Sequence, residues 1–310
     1  MVFDKSVVST EVATRLLRKI LSRPFAVTHI RRLHGGMVNS VLELSTDAEP
    51  ERVVCKLNAR AGLDAFRWEH DVLQWYRDNT EFPVPEPYGC DLSGKLFRGS
   101  CLMMERLPGV NLAEAPLSPA ARLLVERQLA RIIARLHRHK RSTYGSALEP
   151  AQQGERRWLR RFRPRIQKEF SAAAGRLTAE ARRIISRLIE NLETWLPEFG
   201  EPTLVHGDLW ATNIIVDPAA PRVTGFVDGG AEYADVEYEL AYLLVFHTVG
   251  GAFFDEYRKL QPIRDGFDVR CRVYWLHTML LHVRAYGDAH YVRACEGLAR
   301  ELDHLRPLSS

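Results

Sequence analysis

Residues 213–228 carry a two-stranded pattern inside a half of the chain whose apolar spacing is otherwise helical, and this insertion demands a mixed α and β architecture. Asn213-Ile214-Ile215-Val216-Asp217 and Val223-Thr224-Gly225-Phe226-Val227-Asp228 are rich in branched residues, and Pro218-Ala219-Ala220-Pro221 separates them, so the pair reads as an antiparallel hairpin. Its outer ends bear oxygen-carrying side chains, Asn213 and Asp228. Directly before it stands Leu204-Val205-His206-Gly207-Asp208-Leu209-Trp210-Ala211-Thr212.

The first half has a different grammar. Val12, Leu16, Leu17 and Ile20 are helically spaced from Thr10 to about Leu21. Val38 to Leu44 and Arg52 to Leu57 read as a hairpin around the turn formers of 45–50, with Gly35-Gly36 just before it. Asp64 to Tyr76 returns to helical spacing, prolines at 83, 85 and 87 interrupt regular structure, and Ser100 to Met104 is a further strand. Arg106-Leu107-Pro108-Gly109 ends that strand, which puts the boundary between two lobes near residue 107. Beyond it, Leu129, Ile132, Ile133 and Leu136 form one helical stripe, and Ile184 to Trp195 form another. The expected fold class is α+β: a small antiparallel-sheet lobe over 1–107 and a mainly helical lobe over 108–310.

A chain of 310 residues has room for two lobes with separate cores. Apolar content of 46% and charged content of 26% are ordinary for globular proteins, which excludes fibrous and disordered classes. The run Leu240 to Phe246 falls far short of the roughly 20 residues that span a bilayer, so no membrane span is expected. Met1-Val2-Phe3-Asp4-Lys5 lacks the cationic start and apolar run of a secretion signal, which makes the cytoplasm the expected location. Five scattered cysteines at 55, 90, 101, 271 and 295 form no Cys-x-x-Cys pair, and most of them read as buried thiols. A net charge of +4 does not by itself argue for nucleic acid.

The spacing of His206, Asp208 and Asn213 matches a phosphotransfer catalytic loop, a match that chance produces roughly once per hundred chains of this length. The chemistry needs an aspartate to take the proton of an acceptor hydroxyl, and oxygen ligands that hold magnesium against phosphates. Asp208 fits the first role; Asn213 and Asp228 fit the second, since magnesium takes few protein oxygens and keeps several waters. A buried scaffold role suits His206, and the bland reading of Asp208 is a turn or cap aspartate. Lys56 lies in the apolar strand Val53-Val54-Cys55-Lys56-Leu57, a costly place for a charge without a partner. Nucleotide phosphates and Glu69, in the helix that follows, are the partners expected; a surface lysine and a surface glutamate are the alternative. Gly35 and Gly36, with Asn39, would let the backbone approach phosphates. Backbone groups of Glu105 and Leu107 would meet the adenine edge.

In that order these residues resemble the aminoglycoside phosphotransferase superfamily over nearly the whole chain. The resemblance implies a bilobal protein-kinase-like fold with ATP between the lobes, Mg2+, Asp208 as base and a small-molecule hydroxyl acceptor. Gly35-Gly36 with Asn39, Thr143-Tyr144-Gly145, Asp208-Leu209-Trp210 and Gly250-Gly251-Ala252-Phe253-Phe254 look closest to fructosamine kinases, which phosphorylate a sugar hydroxyl of ketosamines. Two departures keep an aminoglycoside-like antibiotic open as acceptor: Asp228-Gly229-Gly230 replaces the usual Asp-Pro-Ala, and Asp235-Val236-Glu237 replaces His-Arg-Glu. A catalytically silent ATP-binding module is the alternative from another class.

Trp210 and Glu232 are expected in the acceptor pocket. Glu232, Asp235, Glu237 and Glu239 could draw a cationic amine, with capping and fold-stabilising roles equally open for Asp235 and Glu239. Residues 155–165 mix arginine with Trp158 and Phe162; a helix with a buried aromatic edge and a solvated basic face explains them, contact with an anionic partner being the alternative. His277 and His282, five apart, do not share a helical face, which argues against zinc.

Overall fold

A computed structural model of the chain describes residues 8–33, 39–60, 62, 64–197 and 200–305. The elements run α1 (Thr10–Leu21), β1 (Val27–Leu33), β2 (Ser40–Thr46), β3 (Arg52–Asn58), α2 (Asp64–Asn79), β4 (Pro87–Asp91), β5 (Ser100–Glu105), β6 (Val110–Asn111), α3 (Pro119–Leu136), β7 (Gly145–Ser146) and α4 (Trp158–Ala173). They continue with α5 (Ala179–Glu190), α6 (Leu192–Trp195), β8 (Thr203–Val205), β9 (Ile214–Asp217), β10 (Arg222–Phe226), β11 (Glu232–Ala234), α7 (Val236–Val245), α8 (Gly251–Tyr257), α9 (Phe267–Tyr286) and α10 (Ala289–His304). Contacts divide the chain into two compact units, Met1–Ser118 with Thr212–Gly229, and Pro119–Ala211 with Gly230–Ser310.

In the first unit a five-stranded sheet has the order β1-β2-β3-β5-β4, antiparallel throughout. Ser9 starts α1 by accepting the Val12 amide hydrogen at 3.2 Å. Leu16 and Leu17, four to five residues into the helix's apolar stripe, are fully buried with Leu44, Val53 and Cys101 in one core. The helix α2 buries Phe66, Val72, Leu73 and Tyr76, the face expected from the spacing. The strands β1 and β4, absent from the sequence reading, are the sheet's two edges. There β1 is exposed at most of its positions, and Pro87 opens β4 where a missing N–H costs no interior ladder bond.

The hairpin of β9 and β10 belongs to this unit. It forms a second sheet with β6, in which Val110 pairs with Val216 and Asn111 with Ile215. Phe82 stacks on Phe226 at 4.4 Å between centroids, and the Phe226 amide donates to the Pro83 carbonyl at 2.8 Å. These bonds join 212–229 to β6 and to the segment around Phe82 and Pro83 within the first unit. Close approach is enforced at Gly109, whose φ is +107° and where a Cβ would lie 2.0 Å from the Val216 carbonyl oxygen.

The second unit is mainly helical around the short sheet β7-β11-β8. Its core joins Trp158, Phe162, Ile185, Leu188, Tyr274 and Leu280 among others. The Trp158 indole N–H donates to the Tyr274 hydroxyl at 3.0 Å, which satisfies a polar group that burial would otherwise penalise. Among the described residues no helix is long and apolar enough to cross a membrane.

Candidate active site

Lys56 projects from β3, a central strand with an apolar face, and its ammonium is satisfied by two carboxylates of the first unit. It donates to Glu69 Oε1 at 2.5 Å and to Asp228 Oδ1. Burial works against the charge, but Asp228 and then Glu69 more than offset it and hold the lysine above its ordinary value, so Lys56 stays protonated. Burial pushes the Glu69 carboxyl up, while the Lys56 charge pulls it back. The alternative of two unrelated surface charges is thereby removed.

Asp228 follows β10 and has a φ of 62°, in the left-handed region. Aspartate tolerates that region better than most residues, though such backbone still costs of order 1–3 kcal/mol. The bend turns the carboxylate toward Lys56, and the Val227 amide bonded to the Asn213 carbonyl at 3.0 Å ties the two ends of the hairpin together. Lys56, Asn213 and Asp228 line one cavity of about 410 Å³ with Met104, Glu105 and Leu107. An amide oxygen and a carboxylate oxygen beside a lysine are a hard-donor set that suits magnesium held with phosphate. Asn213 is buried, only 4% exposed.

The connecting strand at the cavity wall is braced. Glu105 pairs with Glu86 through both main chains, and its carboxylate accepts the Glu86 amide hydrogen at 3.0 Å. Arg106 donates to the carbonyls of Leu107 and Gly109 and to Glu43 Oε2 at 2.7 Å. Glu43 also accepts from Arg31; although burial opposes it, the two arginines hold this carboxyl below its ordinary value. Asn39 accepts from the Asn58 amide at 2.7 Å at the start of β2. Gly35 and Gly36 lie outside the described residues.

Asp208 belongs to the second unit. The loop that carries it leaves β8, and Gly207 takes a φ of +87°. His206 is fully buried, its Nδ1 meets the Asp208 amide at 3.3 Å, and its carbonyl accepts the Gly230 amide hydrogen at 2.7 Å. These are the bonds of a scaffold histidine. The Asp208 carboxylate accepts from the Tyr242 hydroxyl at 2.5 Å.

Two residues that hold this loop carry little sign of it in the sequence. Tyr242 lies inside an apolar helical run with nothing in its spacing to mark it. The composition around Glu239 points only to fold-stabilising or amine-attracting roles. Glu239 is 1% exposed, with one oxygen on the Gly207 amide at 2.7 Å and the other 2.9 Å from His137 Nε2. A glutamate on an apolar helix is the signal, since a charge buried there requires partners.

Among the acceptor candidates, Trp210 is half-buried with its ring 6.2 Å from Phe246. Glu232 is committed to Arg161 and Arg165, which hold its carboxyl below the usual range despite burial, so it does not stand open to an amine. The same pairs account for much of the basic segment: Trp158 and Phe162 are buried on α4, Arg161 and Arg165 bind Glu232, and Arg163 binds Glu193. Asp235 caps α7 by accepting the Glu237 amide hydrogen at 2.9 Å, and it pairs with Arg264. His277 is buried between Phe162 and Tyr238, whereas His282 packs on Phe246.

The model of the fructosamine kinase family matches residues 9–304. A relative from Escherichia coli K12 named probable ketoamine kinase YniA is 28% identical over 281 residues, covering 87% of this chain and 91% of its own. The crystal structure of a candidate fructosamine-3-kinase from Thermobifida fusca superposes with a TM-score of 0.75 at 21% identity, over 96% of this chain and 100% of that one. A thermostable mutant of the aminoglycoside phosphotransferase APH(4)-Ia, in a ternary complex with AMP-PNP and hygromycin B, superposes at 0.64 with 19% identity, over 89% of this chain and 94% of that one. These structural likenesses show that the fold is the protein-kinase-like one expected of that group.

Proposed function

As the chain belongs to the fructosamine kinase family and is a small-molecule kinase, we propose ATP as its phosphate donor, magnesium as the ion that accompanies it, and a ketosamine hydroxyl as its acceptor. The observation that carries this reading is the buried Lys56 held by Glu69 and Asp228 in a cavity that Asn213 also lines. A lysine kept charged there is matched to phosphate oxygens, and Glu69 fixes its direction. Asn213 and Asp228 would hold the magnesium, which when bound neutralises charge on the phosphates. The backbone of 105–107 would take the adenine edge, with Arg106 keeping that segment rigid; Gly35 and Gly36 would take phosphate. The APH(4)-Ia neighbour binds AMP-PNP, which supports an adenine nucleotide here.

Asp208 would accept the proton of the acceptor hydroxyl as its oxygen bonds to the γ-phosphorus, while the bond from that phosphorus to the β,γ-bridging oxygen breaks and ADP leaves. The loop bonds from His206, Glu239 and Tyr242 hold this carboxylate in place before the acceptor arrives, and such positioning is the main lever in phosphoryl transfer. Trp210 would flank the acceptor.

The test is a panel of ketosamines such as fructosyl-lysine, with aminoglycosides, choline and homoserine beside them, read by product mass with MgATP. A ketosamine gaining one phosphoryl group, with turnover abolished by chelation of magnesium, is the expected result. An aminoglycoside as the only acceptor would move the substrate assignment, and no nucleotide consumption with any acceptor would mean a silent binding module.

A further inference from the structure

Helix α7 grips the Asp208 loop at two points on one face. Glu239 accepts the Gly207 amide hydrogen at 2.7 Å, and Tyr242, three residues on, donates its hydroxyl to Asp208 Oδ1 at 2.5 Å. Residues three apart on a helix are neighbours, so one rigid element controls both the loop's backbone and its carboxylate. The tyrosine ring is fixed in turn: it packs edge-on against Phe246 at 5.1 Å, and Phe246 lies against Trp210 at 6.2 Å and His282 at 5.2 Å.

The phenol can only donate here. Burial and then the neighbouring Asp208 charge push Tyr242 far above the ordinary phenol value, so it keeps its proton at any working pH and takes no part as a base. An aspartate side chain turns about two bonds, and the torsion that sets its carboxylate oxygens is broad. A charge-assisted bond to one oxygen selects one orientation.

We propose that Tyr242 is a positioning residue for Asp208: its hydroxyl sets the rotation of the carboxylate and with it the direction from which an acceptor hydroxyl must approach. This rests on the reading of Asp208 as the base. Nothing in the hydroxyl-acceptor chemistry requires a tyrosine at that place; the role follows from the contact and from the rings that pin it.

The experiment uses Tyr242→Phe, which keeps the ring packing and removes only the donor, in the full chain with MgATP and fructosyl-lysine, or with whichever panel member is turned over. The expected result is a kcat about tenfold lower, with the KM for MgATP and the melting temperature unchanged. A kcat within twofold of the parent overturns the proposal. So does a loss that comes with an equal loss of MgADP affinity or a clearly lower melting temperature, since either marks a general structural role. Asp208→Asn is measured alongside. Near-normal turnover in that variant would remove the base reading itself, whereas its inactivity beside an unaffected Tyr242→Phe would remove the positioning role alone.

Discussion

Glu239 bridges Gly207 and His137, taking the Gly207 amide hydrogen on one carboxylate oxygen and standing 2.9 Å from the His137 imidazole with the other. His137 Nδ1 continues to the Tyr257 hydroxyl at 2.7 Å, so the Asp208 loop is tied through one buried chain to α3 and α8. Removing the carboxylate strands an amide and an imidazole in the interior. Glu239→Ala is expected to lower unfolding free energy by about 2–4 kcal/mol, and Glu239→Gln, which still accepts from Gly207, by less. Urea unfolding of the two variants checks the order.

The pair of Lys56 and Glu69 makes a separate prediction for nucleotide binding. Lys56→Met leaves Glu69 and Asp228 facing each other without a cation, and it should raise the KM for MgATP while lowering kcat by about 10². Glu69→Gln keeps a hydrogen-bond acceptor for the lysine and should cost less. Steady-state kinetics at varied MgATP separates the two.

His277 predicts a pH dependence of stability. Burial pushes its imidazole down from an ordinary 6.5 to about 3, so between those values the unfolded chain binds a proton that the folded one refuses. Its contribution is fully present above about pH 6.5 and is lost as pH falls below it. From pH 7 to 5.5 the loss is about 1 kcal/mol. Urea unfolding at both pH values should show a smaller drop for His277→Leu than for the parent.

Gly109 predicts a local intolerance. Alanine there would meet the Val216 carbonyl oxygen at 2.0 Å and hold an unfavourable positive φ, so Gly109→Ala should destabilise by about 2 kcal/mol or more. Thermal unfolding reads this directly, and a Gly109→Ala protein as stable as the parent would contradict the close approach of β6 to β9.

Legibility in the sequence followed chemistry that has few substitutes. A lysine in an apolar strand, an aspartate and asparagine at fixed spacing, and an aspartate ending a hairpin were all visible, because each is a polar side chain where packing would choose otherwise. The helices α1, α2 and α5 were visible from their apolar stripes. The edge strands β1 and β4 were not: His29, Arg31 and Arg32 break the alternation of one, and Pro87 opens the other. Glu232 showed only as an anion, since its partners Arg161 and Arg165 lie about seventy residues away in sequence. Tyr242 was hidden for the opposite reason. Its apolar ring satisfies the helix pattern, and only the tertiary fold brings its hydroxyl to Asp208.

The most direct test of the proposed chemistry is Asp208→Asn, measured for MgATP affinity by calorimetry and for turnover with the acceptor from the panel. The expected result is nucleotide affinity within about twofold of the parent and turnover lower by about 10² or more. Turnover close to the parent's would contradict the assignment of Asp208 as the base.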